Sequence, residues 1–316
     1  MENRSLTAVP GIAVGHATEE ADATGCTVIL GPFVGAVELA GQATGSRELD
    51  VLSPHHLVPS CDAILLTGGS AFGLRAADGV VSWLEERGRG FLTREGRVPI
   101  VPAAVIYDLG VGRADARPDA GMGYAAAAAA STAAVREGRV GAGTGASVGK
   151  LMGRRGAERG GVGSWACRRA ESSHTVGALA VVNAFGDVLD KRGTIVAGCR
   201  ADDGTYLDTA KALREGAVRP LGYGGAENTT LGVVATDAPL RRTELQVVAR
   251  HAAGALVRRI SPAGTAFDGD LVFALSTGRG EAFEAGPGDL LTLGLRARAT
   301  LERAIERAVD RQPGGG

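Results

Sequence analysis

Aromatic residues are scarce in this chain, 4% of 316, so alanine, valine and leucine must fill most of its interior. Cysteine is rarer still. The four cysteines, Cys26, Cys61, Cys167 and Cys199, stand without CxxC spacing, and the five histidines form no ligand spacing with them. That pattern argues against a disulfide framework or a cysteine–histidine metal site, and reduced cytosolic thiols are expected. Neither sign of charge predominates. With 34 basic against 35 acidic side chains the net charge is −1, which predicts no field for nucleic acid or another polyanion. No apolar run reaches the ~18 residues of a membrane span. Met1-Glu2-Asn3-Arg4 leads into Val9-Pro10-Gly11 without the apolar stretch of a secretory signal. A cytoplasmic protein with no membrane partner, no metal and no cofactor is therefore expected.

Glycine is plentiful, at 49 residues, and permits tight turns and close backbone approach. Apolar residues make up 45% and charged residues 22%, an ordinary globular balance. The length allows one large domain or two ordinary ones, and no linker divides it, so residues 1–316 are read as a single catalytic domain. Short apolar runs predict strands at residues 25–30, 63–66, 99–105, 176–182, 230–236 and 270–275. Helical patterns cover 73–87, 121–137, 242–259 and 297–311. The 121–137 stretch is alanine-rich, with strong helix propensity and little bulk. Residues 242–259 carry Leu245, Val248, Ala252 and Leu256 along one face. Strands and helices cluster instead of alternating strictly, which favours an α+β layered fold. Residues 200–221 read as polar, turn-rich surface and 311–316 as a disordered tail.

The most informative stretch is Gly224-Gly225-Ala226-Glu227-Asn228-Thr229-Thr230-Leu231-Gly232-Val233-Val234-Ala235-Thr236. A glycine-rich lead-in runs into a buried-strand pattern, placing a threonine at the mouth of a strand. Taken alone, Asn-Thr-Thr is an ordinary strand start. If the chain cuts itself between Asn228 and Thr229, however, Thr229 gains a free α-amine that can serve as base for its own hydroxyl. Such an amine titrates at about 7.7–8.0, near the operating pH, so it can both take and return a proton.

Other motifs are weaker. Gly68-Gly69-Ser70-Ala71-Phe72-Gly73 misses the nucleophile-elbow pattern because Phe72 stands at the last glycine position, leaving Ser70 as a helix cap. Residues 141–150 fail the phosphate-loop pattern, with Thr144 at the first glycine position and Leu151 after Lys150. The loop is better suited to deliver Lys150 into a crowded pocket. Asp268-Gly269-Asp270 puts two carboxylates on alternate positions of an extended chain, where they share one face. Asn183 closes one apolar run, and Tyr107-Asp108 follows another.

Together these residues resemble the self-processing family of L-aminopeptidase/D-esterases, β-peptidyl aminopeptidases and nylon-oligomer hydrolases. The resemblance spans most of the chain. It runs through Pro10-Gly11-Ile12-Ala13-Val14-Gly15-His16, Thr24-Gly25-Cys26-Thr27-Val28-Ile29-Leu30, Gly68-Gly69-Ser70-Ala71-Phe72-Gly73-Leu74, residues 143–150 and Asn228-Thr229-Thr230. It implies an αββα sandwich and autocleavage into residues 1–228 and 229–316, with Thr229 as nucleophile. It further implies that Asp268 and Asp270 orient the threonine amine and hydroxyl and that Lys150 assists electrostatically. The Asn183 amide would stabilise the oxyanion, Tyr107 would line the pocket, and cleaved protomers would form a homotetramer. Threonine after asparagine, with paired aspartates, looks most like the nylon-oligomer hydrolases, which suggests endo-type hydrolysis of linear amides such as 6-aminohexanoate oligomers. Aminopeptidase action on small N-terminal or β-amino acid peptides is the first alternative. Acyl transfer of the ornithine-acetyltransferase kind, which shares the threonine self-cleavage logic, is the second.

Overall fold

The structure is a computed structural model and describes residues 3–168, 174–216 and 228–310. The lead-in Gly224-Gly225-Ala226-Glu227, the end of the turn-rich 200–221 stretch and the 311–316 tail lie outside the described residues.

Strand β1 (Ala13–Glu19) pairs antiparallel with β2 (Thr24–Leu39), a strand of 16 residues that belongs to two sheets. Its first half also pairs with β3 (Cys61–Thr67), and β4 (Ala103–Val105) runs parallel beside β3. The register breaks between Leu30 and Phe33, around Pro32, which has no N–H to give a neighbouring strand. Past that break, residues 34–39 pair with the second sheet. That sheet holds β5 (Gly161–Cys167), β6 (Val176–Asn183), β7 (Thr229–Thr236) and β8 (Leu271–Ser276) in spatial sequence. Neighbours run antiparallel except β7 and β8, which are parallel.

Each sheet buries two faces. Between them lies an apolar layer in which Ile29, Ile64 and Leu66 meet Leu179, Val181, Leu231, Val233, Leu271 and Phe273. Helices α1 (Ala76–Glu85) and α2 (Ala120–Ala128) cover the outer face of the first sheet. Helices α3 (Arg242–Arg259) and α4 (Pro287–Val309) cover that of the second, over Ala178, Ala180, Val182, Val234, Val272 and Ala274. The result is the expected αββα sandwich. Small residues make the layers thin: a Cβ on Gly79 would lie 1.7 Å from the Ala120 carbonyl, and one on Gly123 would lie 1.8 Å from that of Ala76. Helices α1 and α2 therefore cross nearly backbone to backbone.

Several expected elements differ in extent. The alanine-rich helix stops at Ala128 instead of continuing to 137. Beyond it Ser131 exchanges hydrogen bonds with Val14 at 3.0 and 3.1 Å, so pairing to the edge of β1 overrides alanine propensity. The expected 99–105 strand shrinks to Ala103–Val105, with Pro99 and Pro102 upstream unable to donate to a ladder. The last helix begins at Pro287, well before residue 297, because proline suits a first helical turn, where its missing N–H has no partner to lose. Ser70 does not cap: it opens a 3-10 turn (Ser70–Arg75) at φ 52°, and its side chain makes no capping bond.

Candidate active site

Thr229 is the first residue of β7 and Asn183 the last of β6, and the two are register partners. Directly opposed residues of an antiparallel pair project to the same face. That face looks between the sheets, since Leu231 and Val233 farther along β7 lie in the inter-sheet layer. On the other side of β7, Asn228 bridges Asp268 in parallel fashion, so the Asp268-Gly269-Asp270 segment lies alongside the Asn228–Thr229 peptide. The Lys150 backbone is tied to the turn after β6: Gly149 N–H donates to Gly186 O at 3.0 Å, and Lys150 N–H to Phe185 O at 2.9 Å. Its Nζ then donates to the Asn183 carbonyl at 3.1 Å and to Asn183 Oδ1 at 2.8 Å. Asn183 Nδ2 donates in turn to the carbonyl of Tyr107 at 3.1 Å, just past β4. The site thus forms where the ends of both sheets meet, and Asn228, Thr229, Asn183, Asp268 and Asp270 are all at most 5% exposed.

Thr229 Oγ1 donates to the Asn228 carbonyl oxygen at 2.6 Å, and the Gly269 N–H donates to the same oxygen at 2.9 Å. Asp270 receives the Thr230 N–H at 2.6 Å on one oxygen and the Gly264 N–H at 3.1 Å on the other. Asp268 receives the Thr265 N–H at 2.8 Å. Burial, then the adjacent Asp268 carboxylate, pushes the Asp270 carboxyl up to about 7, against the pull of those two N–H groups and of Lys150. Burial also raises Asp268, opposed by Thr265 and Lys150. Asp108 is likewise raised by burial, opposed by bonds from Gly69 N–H at 2.7 Å and Thr24 Oγ1 at 2.8 Å and by the Lys150 charge. The Lys150 ammonium is therefore the counter-charge to three buried carboxyls.

A carboxyl raised in the folded state stabilises the fold while protonated. This contribution is complete below the ordinary carboxyl range and fades as pH rises through about 7. The Thr229→Ala chain is expected to be more stable at pH 5 than at pH 8 through this group. Urea midpoints at the two pH values check this, with Asp270→Ala flattening the difference.

The structure brings together Lys150, Asn183, the Asn228-Thr229 pair and the Asp268/Asp270 pair, four stretches far apart in sequence. Tyr107 enters through its main chain, as acceptor for Asn183. Sequence reasoning passed over Gly264 and Thr265, whose N–H groups hold the two carboxylates, and Gly269, whose N–H holds the Asn228 carbonyl. Backbone donors leave no side-chain signature, so only three-dimensional proximity reveals them. Among the described residues no group of three or more histidine, cysteine, aspartate or glutamate side chains is placed to hold a metal ion.

A hydroxyl set against a polarised carbonyl, beside an ammonium and buried carboxyls, is equipped for acyl chemistry at an amide. The sequence profile of peptidase family S58 matches residues 4–311. The chain belongs to peptidase family S58. Among relatives, an uncharacterised aminopeptidase of Mycobacterium leprae is 46% identical over 307 residues, covering 88% of this chain and 80% of that protein. The 6-aminohexanoate-oligomer endohydrolase of an Agromyces strain is 34% identical over 276 residues, covering 85% and 73%. Among solved structures, the L-aminopeptidase D-Ala-esterase/amidase of Ochrobactrum anthropi superposes with a TM-score of 0.72 at 20% identity, over 96% of this chain and 85% of that one. It is described as a variant of the Ntn hydrolase fold, and at that identity the likeness establishes the fold alone. This S58 chain is a hydrolase acting on amide bonds. Among its described residues no helix is long and apolar enough to cross a membrane.

Proposed function

We propose that this S58 peptidase matures by cutting its own Asn228–Thr229 bond and then hydrolyses linear amides with Thr229 as nucleophile. The observation that carries the reading is Thr229 Oγ1 lying 2.6 Å from the oxygen of the carbonyl it would attack. The cut yields residues 1–228 and 229–316 and frees the Thr229 α-amine. That amine takes the hydroxyl proton as Oγ1 attacks a substrate carbonyl and gives it to the leaving nitrogen, forming an acyl-enzyme that water then opens. Lys150 and the Asn183 amide face the developing oxyanion, and Asp268 and Asp270 hold the new ammonium and the strand carrying it. No cofactor enters this scheme. The cleaved protomers are proposed to assemble as a homotetramer in the cytoplasm.

For substrate, the endohydrolase relative and the Asn-Thr junction with paired aspartates favour linear oligomers of 6-aminohexanoate, cut internally. Likeness to a protein named aminopeptidase, at 46% identity, supports a second reading in which the same site removes N-terminal residues from small peptides. N-acetylated 6-aminohexanoate tetramer separates them. Endo attack is expected to leave its hydrolysis rate within about tenfold of that of the free tetramer, whereas an amine-requiring aminopeptidase loses on the order of 10²-fold or more. Chromatography of the products, with dimers appearing before monomer, checks the outcome. Release of monomer alone from the free tetramer, with the acetylated one untouched, would establish the aminopeptidase reading.

A further inference from the structure

Gly269 sits between the two aspartates, and its φ lies outside the left-handed region, so backbone conformation does not require glycine there. Space does. A Cβ at this position would lie 2.7 Å from Thr229 Oγ1 and 2.8 Å from the Ala43 carbonyl oxygen. The Ala43 side cannot yield easily, because Ala43 N–H is bonded to Asp268 O at 2.9 Å and Ala40 and Gly41 N–H are bonded to Asp270 O at 2.8 and 2.9 Å. Any added side chain therefore presses on the hydroxyl. Meanwhile the Gly269 N–H points at the Asn228 carbonyl oxygen, 2.9 Å away, the same oxygen that Thr229 Oγ1 touches.

We infer that Gly269 is a dedicated positioning residue for self-cleavage, its N–H receiving the oxyanion at Asn228 and its bare α-carbon leaving room for the Thr229 hydroxyl. This rests on Thr229 being the self-cleaving nucleophile. In the step, Thr229 Oγ forms a bond to the Asn228 carbonyl carbon and the carbonyl oxygen takes up negative charge against the Gly269 N–H. The hydroxyl proton ends on the Thr229 nitrogen as the C–N bond breaks. The product is an ester of the Asn228 acyl group on Thr229 Oγ, with a free amine. Water adds to that ester and breaks the C–O bond, releasing the Asn228 carboxylate, the Thr229 hydroxyl and a proton. The donor is thus supplied by main chain from the segment that also carries both aspartates, so one short piece of chain aligns carbonyl, nucleophile and carboxyls together.

The test follows self-cleavage by intact mass over time in the wild type, Gly269→Ala, and Gly269→Ala combined with Thr229→Ser. Displacing a reacting atom by about 1 Å costs on the order of 10²-fold, and Gly269→Ala is expected to slow cleavage by at least that factor. Serine lacks the γ-methyl that restricts χ1, so its hydroxyl can swing clear of the new methyl, and the double variant is expected to regain about tenfold. A Gly269→Ala chain that cuts at the wild-type rate, or a defect that serine does not relieve, overturns the inference while leaving Thr229 as nucleophile intact. A wild type that never cuts overturns both. Should Gly269→Ala fail to fold, hydrogen exchange in the uncut Thr229→Ala chain decides: the Gly269 amide is expected to be strongly protected, and free exchange there refutes the contact.

Discussion

Thr229→Ala is expected to leave a single species of 32.0 kDa under denaturing conditions and to abolish amide hydrolysis, by 10⁴-fold or more in order of magnitude. Two losses coincide in this variant. Without a hydroxyl the Asn228 carbonyl is never attacked, and without the cut no α-amine appears to act as base. Alanine removes one buried hydroxyl that donates to its own upstream carbonyl, so the fold itself is expected to survive. Thr229→Ser retains the oxygen and is expected to cut and to turn over. Intact mass together with an amide-release assay on both variants settles the point. A Thr229→Ala preparation that still arrives as two fragments divided between 228 and 229, or that still hydrolyses substrate, refutes the nucleophile assignment.

Lys150→Met is expected to produce the second-largest effect. Methionine keeps much of the side-chain length but removes the donor to Asn183 O and Oδ1 and a positive charge acting on Asp108, Asp268 and Asp270. Turnover is expected to fall by about 10²–10³-fold, as when an electrostatic donor at a reacting oxygen is lost. Stability is expected to fall by about 1–3 kcal/mol at pH 8, where the carboxyls press for ionisation without their counter-charge. The deficit should narrow at pH 5, because the Asp270 carboxyl, raised to about 7, is protonated there and needs no cation. Denaturant midpoints at both pH values, set beside initial rates, test this. An equal deficit at both would mean that Lys150 acts through packing and not through charge.

Much of this architecture was legible in the sequence because its signals are local. The β-branched run after Thr229, the amphipathic Leu245–Leu256 face and the clustering of strands and helices each follow from nearest neighbours along the chain. Tertiary competition hid the rest. The alanine stretch gave up its second half to pairing with β1, and 99–105 shortened at its prolines. The length of β2 and its membership of two sheets could not be read from periodicity, since its first seven residues are buried on both faces without alternation and Gly31-Pro32 interrupts the pattern before the rest. At the site, side chains with distinctive chemistry were visible one by one, and Thr229, Asn183, Lys150, Asp268 and Asp270 do converge. The main-chain donors at Gly264, Thr265 and Gly269 were not visible, because every residue but proline carries the same N–H.

Strand β7 lies between β6 and β8, and β8 lies between β7 and the second half of β2. A cut before Thr229 therefore leaves two pieces interleaved within one sheet, with α3 and α4 belonging to the shorter piece and packed across both. Separating them would mean dismantling the second sheet and its helical cover, so a nicked protein would stay assembled without the peptide link. Once dismantled, it has lost the covalent link that made its original folding unimolecular, and reassembly becomes a second-order search at the mercy of dilution and aggregation. If the proposed cut is made, the enzyme on this topology is built to be folded once.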